Sequence, residues 1–249
     1  MLAGEILAGT FLKTPAHEMV EVLALSGLDF IALDTEHAPF DRGRMDACLA
    51  VAGALGFPVL VRIPDGSQAE ILKVMDCGAV GVVVPHAATP EKAANIAKWS
   101  RFGHGGRGFA GSTRWAGYTT RSMADLLEAS ATETVVIAQI EEPEGVDAVD
   151  AIAATEGIDG LFVGPADLAV SLGKTDAAAP EVRAAMGRVG EAARRHGKAC
   201  MTFAPDTDSA AELKGLGITT FFIGSEQSFA MARARDVAES LHALNEDTP

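Results

Sequence analysis

Long apolar runs are missing from this sequence. Although 48% of its 249 residues are hydrophobic, Gly, Asp, His or Arg interrupts each run before it reaches the roughly 20 residues that cross a bilayer. The opening Met1-Leu-Ala-Gly-Glu-Ile-Leu-Ala-Gly-Thr10 also lacks the basic start of a secretory signal. A cytoplasmic protein with no membrane partner is therefore expected. Cysteine is scarce: Cys48, Cys77 and Cys200 are far apart and form no C-x-x-C pair, which excludes a disulfide framework and a zinc–thiolate centre. Positive charge is scarce too, with 20 Lys and Arg against 34 Asp and Glu and a formal net charge of −14. With no basic block to oppose that charge, nucleic acid is not an expected partner. A small anionic substrate stays possible, because a pocket's field depends on a few local cations and any bound metal.

Several reactive motifs are absent as well. No G-x-S-x-G elbow occurs, and no Cys has a convincing His partner. Gly173-Lys-Thr175 lacks the preceding glycine of a P-loop. Gly103, Gly105 and Gly108 match G-x-G-x-x-G formally, but they follow a helical segment, whereas a dinucleotide fingerprint follows a strand. Of seven lysines only Lys13 falls near the end of a strand, and no strand presents one inward as Schiff-base chemistry requires. Any electron sink should then be a metal.

The order of elements is informative. Short runs rich in Val, Ile, Leu and Phe alternate with Ala-rich helical segments, the pattern of parallel strands buried on both faces. Strands are predicted at Leu7–Phe11, Phe30–Asp34, Pro58–Ile63, Gly81–Val84, Thr134–Gln139, Gly160–Val163, Ala199–Phe203 and Thr220–Ile223. Helices are predicted at Ala16–Ser26, Met45–Leu55, Gln68–Cys77, Pro90–Ser100, Glu144–Ala154, Pro180–His196 and Thr207–Leu216. Eight strand–helix units point to one α/β domain over residues 1–249, a (β/α)8 TIM barrel, over an open doubly wound sheet with fewer strands. In such a barrel the chemistry gathers where strands run into the following helices.

Reactive residues do gather there: Asp34-Thr-Glu36-His37, Arg62, Pro85-His86, Gln139-Ile-Glu141 and Gly164-Pro165-Ala166-Asp167. Glu141 and Asp167 follow consecutive strands, so their carboxylates can share a hard divalent cation while leaving positions open for a chelating substrate. The alternative is that each acid caps the helix after it. Arg62 suits a carboxylate or an oxygen developing negative charge, unless it is an internal salt bridge to a barrel acid. His37 can move protons near neutral pH, with Asp34 or Asp76 to orient it and Glu36 beside it. The Gly-rich segment 101–114 is expected to approach the site, anchored by Arg107 or Arg114. Phe203, Phe11 and Trp115 are expected at the mouth.

Taken together, Leu33-Asp-Thr-Glu-His37, Val61-Arg-Ile-Pro64, Gly78-Ala-Val-Gly-Val-Val-Val-Pro-His86, Gly105-Gly-Arg-Gly108, Gln139-Ile-Glu141 and Gly164-Pro-Ala-Asp-Leu168 resemble the HpcH/HpaI family of metal-dependent, pyruvate-type class II aldolases over nearly the whole chain. The resemblance implies a phosphoenolpyruvate/pyruvate-type barrel that cleaves 4-hydroxy-2-oxo acids reversibly to a 2-oxo acid and an aldehyde, as in aromatic compound catabolism. It implies Mg²⁺, Mn²⁺ or Co²⁺ on Glu141 and Asp167, Arg62 facing the enolate oxygen, and His37 with Asp76 as an acid–base dyad. It also implies Gln139 near the metal, backbone donors around Ala166, and Gly164, Pro165, Ala166 and Phe203 as residues that touch the substrate. A homohexamer, a trimer of dimers exchanging a C-terminal helix near Met231–Asn245, is implied as well. The rival reading is a citrate-lyase-β-like or malyl-CoA-type lyase acting on a CoA thioester; a third is a barrel that binds a metal–oxo-acid complex without turnover.

Overall fold

The computed structural model describes residues 4–245. Eight parallel strands close into a barrel in sequence order: β1 (Leu7–Leu12), β2 (Phe30–Asp34), β3 (Val59–Arg62), β4 (Gly81–Val84), β5 (Val135–Ile140), β6 (Gly160–Val163), β7 (Ala199–Ala204) and β8 (Thr220–Ser225). Around them run α1 (His17–Ala24), α2 (Arg42–Leu55), α3 (Gln68–Asp76), α4 (Pro90–Ser100), α5 (Met123–Thr132), α6 (Pro143–Asp147), α7 (Val149–Ala153), α8 (Pro165–Ser171), α9 (Pro180–Arg195), α10 (Thr207–Leu213), a 3₁₀ turn at Lys214–Leu216, and α11 (Glu226–Ala243). The starts of several helices follow from their side chains: Asp41, Ser67, Thr89, Ser122 and Asp206 each accept a backbone N–H of the first turn, satisfying donors that have no partner within the helix.

Alternation along the strands sorts the hydrophobic residues into two cores. Outward-facing side chains such as Ile31, Leu33, Val61, Val82 and Val136 pack against the helices. Inward-facing ones, with Phe11, Phe30, Leu60, Val83, Ile137, Phe162, Met201 and Phe222, fill the barrel. Phe222 is fully buried there, stacked on Phe11 at 4.8 Å and edge-on to Phe30 at 5.0 Å and Phe162 at 5.1 Å. Gly9 makes room for this layer, since a Cβ on it would lie 2.4 Å from the Phe30 ring. The aromatic layer separates two cavities: an apolar one of about 220 Å³ at the N-terminal end, touching Leu7, Phe30 and Met201, and a polar one at the C-terminal end.

The structure departs from the predicted elements in a few places. The single helix expected over Glu144–Ala154 is broken at Ala148 into α6 and α7. Helices α5 and α8 were not expected. The last helix starts at Glu226, and Glu226 is its only buried residue. Phe229, Met231, Val237 and Leu241 are 40%, 55%, 42% and 59% exposed, so this helix leaves most of its apolar surface off the barrel. Among the described residues no helix is long and apolar enough to cross a membrane.

Candidate active site

The polar cavity, about 350 Å³, opens where the strands end and is touched by Lys13, His37, Arg62, Gln139, Asp167 and Phe203, among others. Its floor is Phe11 and Phe162 from the aromatic layer, and its far wall is Gly224, Ser225 and Ser228. Of the three aromatic residues expected at the mouth, Phe11 and Phe203 are there; Trp115 instead packs against Phe102 and Arg107.

Arg62 ends β3 beside Asp34, which ends β2; the register sets them as partners. Nε donates to Asp34 Oδ1 at 3.1 Å and an Nη to Oδ2 at 2.8 Å. The internal salt bridge weighed against a functional Arg62 is thus formed, yet the guanidinium also faces the cavity and lies 4.4 Å over the Phe11 ring. Burial raises the Asp34 carboxyl, but hydrogen bonds to and the charge of Arg62, with the His37 N–H and Lys13, hold it below the ordinary carboxylate range. Burial also raises Glu36, opposed by Arg62 and His37 and reinforced by Glu141 and Asp34. Asp34 therefore holds its negative charge beside Arg62 more firmly than Glu36, whose carboxyl is shifted the other way.

Glu141 follows β5 and is buried. Its Oε1 accepts the His86 N–H at 2.7 Å, its Oε2 the side-chain amide of Gln139. His86 takes φ 55 to do this, a left-handed conformation uncommon outside glycine and found where a backbone group must be aimed. Its ring Nδ1 lies 3.1 Å from Glu142 Oε1 and 3.2 Å from Glu141 Oε1. Gly164 lets the β6 end pass against this carboxylate: a Cβ there would lie 3.1 Å from Glu141 Oε2. Three residues on, Asp167 sits in the first turn of α8, where the cap residue Gly164 has no side-chain bond and Asp167 has none either. Asp167 accepts no capping hydrogen bond, but it occupies the first turn, where the helix dipole favours an acid, and its carboxylate lines the cavity with no hydrogen-bond partner among the described residues.

The donor set at this end fits a hard divalent cation. Glu141 and Asp167 offer carboxylate oxygens, and Gln139 Oε1 is buried with no hydrogen-bond partner. All are oxygen ligands of the kind Mg²⁺ and Mn²⁺ take, too few to close the shell. Among the described residues no group of three or more His, Cys, Asp or Glu side chains is placed to hold a metal ion.

His37 and Asp76 are not brought together within the chain. The His37 side chain is 54% exposed at the rim, with Nε2 3.6 Å from Glu36 Oε2 and its backbone N–H on Asp34 Oδ1 at 3.1 Å. Asp76 ends α3 away from the cavity; Oδ1 is buried without a partner, and burial raises its carboxyl against the opposing charges of Arg107 and Arg42. The Gly-rich segment likewise does not line the cavity. Arg107 does anchor it, as a buried guanidinium 3.9 Å from the Phe102 ring and 4.3 Å from Trp115, with burial lowering its pKa to about 10 against the pull of Asp76. Arg114 pairs with Asp46 at 3.0 Å. Arg114 thus ties the segment to α2, while Arg107 packs on its rings with no hydrogen bond from its guanidinium among the described residues. Sequence reasoning placed Lys13 and His86 at strand ends without giving either a role, and did not name Ser225 or Ser228.

The barrel thus carries acidic side chains after β5 and β6 and a clamped arginine at the end of β3. Residues 7–232 match the family described as HpcH/HpaI aldolase/citrate lyase, and the chain belongs to it. A 5-keto-4-deoxy-D-glucarate aldolase of Salmonella paratyphi C is 34% identical over 243 residues, 96% of this chain and 94% of that protein. A hydroxypyruvate/pyruvate aldolase of Paraburkholderia phytofirmans is 32% identical over 95% of this chain and 94% of its own. The crystal structure of a family member from Burkholderia cenocepacia superposes with a TM-score of 0.91 at 34% identity, covering 96% of this chain and 95% of that one. This chain is accordingly an enzyme, a lyase of the aldolase type.

Proposed function

We propose that the enzyme reversibly cleaves 4-hydroxy-2-oxo acids to pyruvate, or a related 2-oxo acid, and an aldehyde, with Mg²⁺, Mn²⁺ or Co²⁺ held by Glu141 and Asp167 beside Gln139. The observation that carries this reading is the meeting, in one cavity, of the unpartnered Asp167 carboxylate and the Arg62 guanidinium held by Asp34. The keto-acid names of the relatives support the substrate class. When bound, such a cation supplies Lewis acidity to the keto oxygen of a neighbouring oxo acid.

The protein's own groups then divide the work. Arg62, fixed in orientation by Asp34, presents positive charge to the oxygen that becomes anionic as the C3 carbanion character develops. His37 at the rim supplies the proton taken up by the aldehyde oxygen as the carbon–carbon bond forms, directly or through a water, and takes it back in cleavage. Ala166, at the start of α8, offers its backbone N–H to the substrate carboxylate, while Gly164, whose own N–H is donated to the Ile140 carbonyl at 3.1 Å, and Pro165, which has none, shape the approach without donating. Phe203 closes the aldehyde side. The exposed apolar surface of α11 supports a homo-oligomer in which this helix packs on a neighbouring copy.

Exchange of pyruvate C3 protons in D₂O tests the reaction. With Mn²⁺ the methyl signal is expected to disappear in NMR spectra, and excess chelator should preserve it; a metal-loaded protein that neither exchanges these protons nor forms aldol product overturns the reading. A thermal scan tests the ligands independently of turnover. Saturating Mn²⁺ at about 100 times its dissociation constant should stabilise the fold by about 2.7 kcal/mol, roughly 5–10 °C in Tm, and Asp167→Asn should remove most of that shift. The thioester alternative has less support: the citrate lyase β subunit complexed with oxaloacetate and magnesium is 17% identical with a TM-score of 0.61, a likeness of fold. Cleavage that requires a CoA thioester would favour it.

A further inference from the structure

The cavity has a second cation that the proposed chemistry leaves unused. Lys13 stands immediately after β1, and β1 lies four strands from β5 around the closed ring. It is thus across the mouth from Glu141 and the start of α8, yet touches the same cavity as Asp167. The two cations of the cavity are committed differently. The Arg62 side chain is 9% exposed and spends its fork on Asp34, with Glu36 a further 3.4 Å from Nε. The Lys13 side chain is 32% exposed, and its nearest carboxylate oxygen, Asp34 Oδ2, is 3.4 Å away and already taken by Arg62 at 2.8 Å. The Lys13 ammonium makes no hydrogen bond among the described residues, so three charged donors remain for something that enters the cavity.

The backbone under this lysine is held firmly. The buried Glu226 carboxylate, at the start of α11, accepts the N–H of Lys13 at 2.9 Å and that of Thr14 at 2.7 Å. The Gln227 amide reaches Thr14 Oγ1 at 3.3 Å. Ser225 and Ser228 beside it also face the cavity, so the β1–β8 side carries a cation and hydroxyls but no carboxylate that faces the cavity.

We propose that Lys13 selects the aldehyde by pairing with a carboxylate or phosphate at the end remote from its carbonyl. This rests on the aldol reaction proposed above. The oxo acid occupies the β5–β6 side and Arg62, the aldehyde carbon lies between, and the charged tail reaches β1 and β8. Lys13 acts in specificity and touches no reacting atom.

Two size-matched pairs of acceptors test this: succinic semialdehyde against butanal, and glyceraldehyde 3-phosphate against glyceraldehyde, each condensed with pyruvate and Mn²⁺. The quantity read is the ratio of kcat/KM, charged over neutral, within each protein. In Lys13→Met at least one ratio is expected to fall ten- to a hundredfold, and Lys13→Arg should retain it within threefold; the pair that responds identifies carboxylate or phosphate. A fall below threefold in both pairs overturns the proposal, whatever the absolute rates. If Lys13→Met is too slow to assay, calorimetric titration of succinate and of inorganic phosphate onto protein saturated with Mn²⁺ and oxalate replaces the ratio: at least tenfold weaker binding of one anion supports the proposal, and unchanged binding of both overturns it. Pyruvate proton exchange needs no aldehyde. If wild-type protein exchanges these protons and Lys13→Met leaves both ratios unchanged, Lys13 alone is sunk, whereas failure of the wild type to exchange sinks the reaction itself.

Discussion

Arg62 illustrates how one side chain serves folding and chemistry together. Asp34 is completely buried and takes both arms of the fork, so removing the guanidinium strands a charge inside the barrel, a change that costs roughly 3–5 kcal/mol when one partner of a buried pair is deleted. Arg62→Lys is the sharper substitution, because it keeps the charge and loses only the planar geometry. Its circular dichroism is expected to match wild type while kcat for aldol cleavage falls about 10²–10³-fold, the usual loss when a donor to a developing oxyanion is misplaced; turnover within threefold of wild type would remove Arg62 from the chemistry. The reactive residues at strand ends were legible in the sequence because apolar runs make an Asp, Arg or Glu conspicuous. His86 was visible but carried no signal for its role, which lies in a backbone N–H and a left-handed φ. Lys13 was read only as a failed Schiff base, since its importance depends on β1 closing against β8 and exposing it to a cavity assembled from distant segments. Asp76 was named through the family resemblance, and within one chain it ends α3 beside Arg107.

At the scale of elements, the junction of β6 and α8 governs the ligand carboxylate. Gly164 needs no unusual φ, −87 being open to any residue; it is glycine because the Glu141 side chain occupies the space of a Cβ. Gly164→Ala should push Glu141 off its bond to His86 and weaken Mn²⁺ binding about 10–100-fold, as loss of groups that orient a ligand commonly does. Calorimetric titration of Mn²⁺ measures this, and an unchanged affinity would mean the carboxylate is positioned by other contacts. All eight strands fell within a residue or two of their predicted bounds, since runs buried on both faces cannot be mistaken for amphipathic helices. Helices were less legible where nothing punctuated them. The break at Ala148 involves no Gly or Pro, and α8 hides behind Gly164-Pro165, which reads equally as a turn.

For the molecule as a whole, the barrel is self-sufficient but α11 is not. Its 18 residues bury only Glu226, although Phe229, Met231, Val237 and Leu241 are large and apolar. Light scattering is expected to give a mass that is a multiple of the 25.8 kDa chain, and Phe229→Asp with Leu241→Asp should reduce it toward one chain; a monomeric wild type would refute the packing proposed for this helix. The same first turn of α11 pins Lys13, so partner contacts along the helix would bear directly on which aldehyde is accepted.

The stacked phenylalanines inside the barrel also decide how substrates reach the site. With Phe222 fully enclosed between Phe11, Phe30 and Phe162, the polar end is sealed from the apolar one, so substrates approach from the rim where the strands end and never through the barrel's interior.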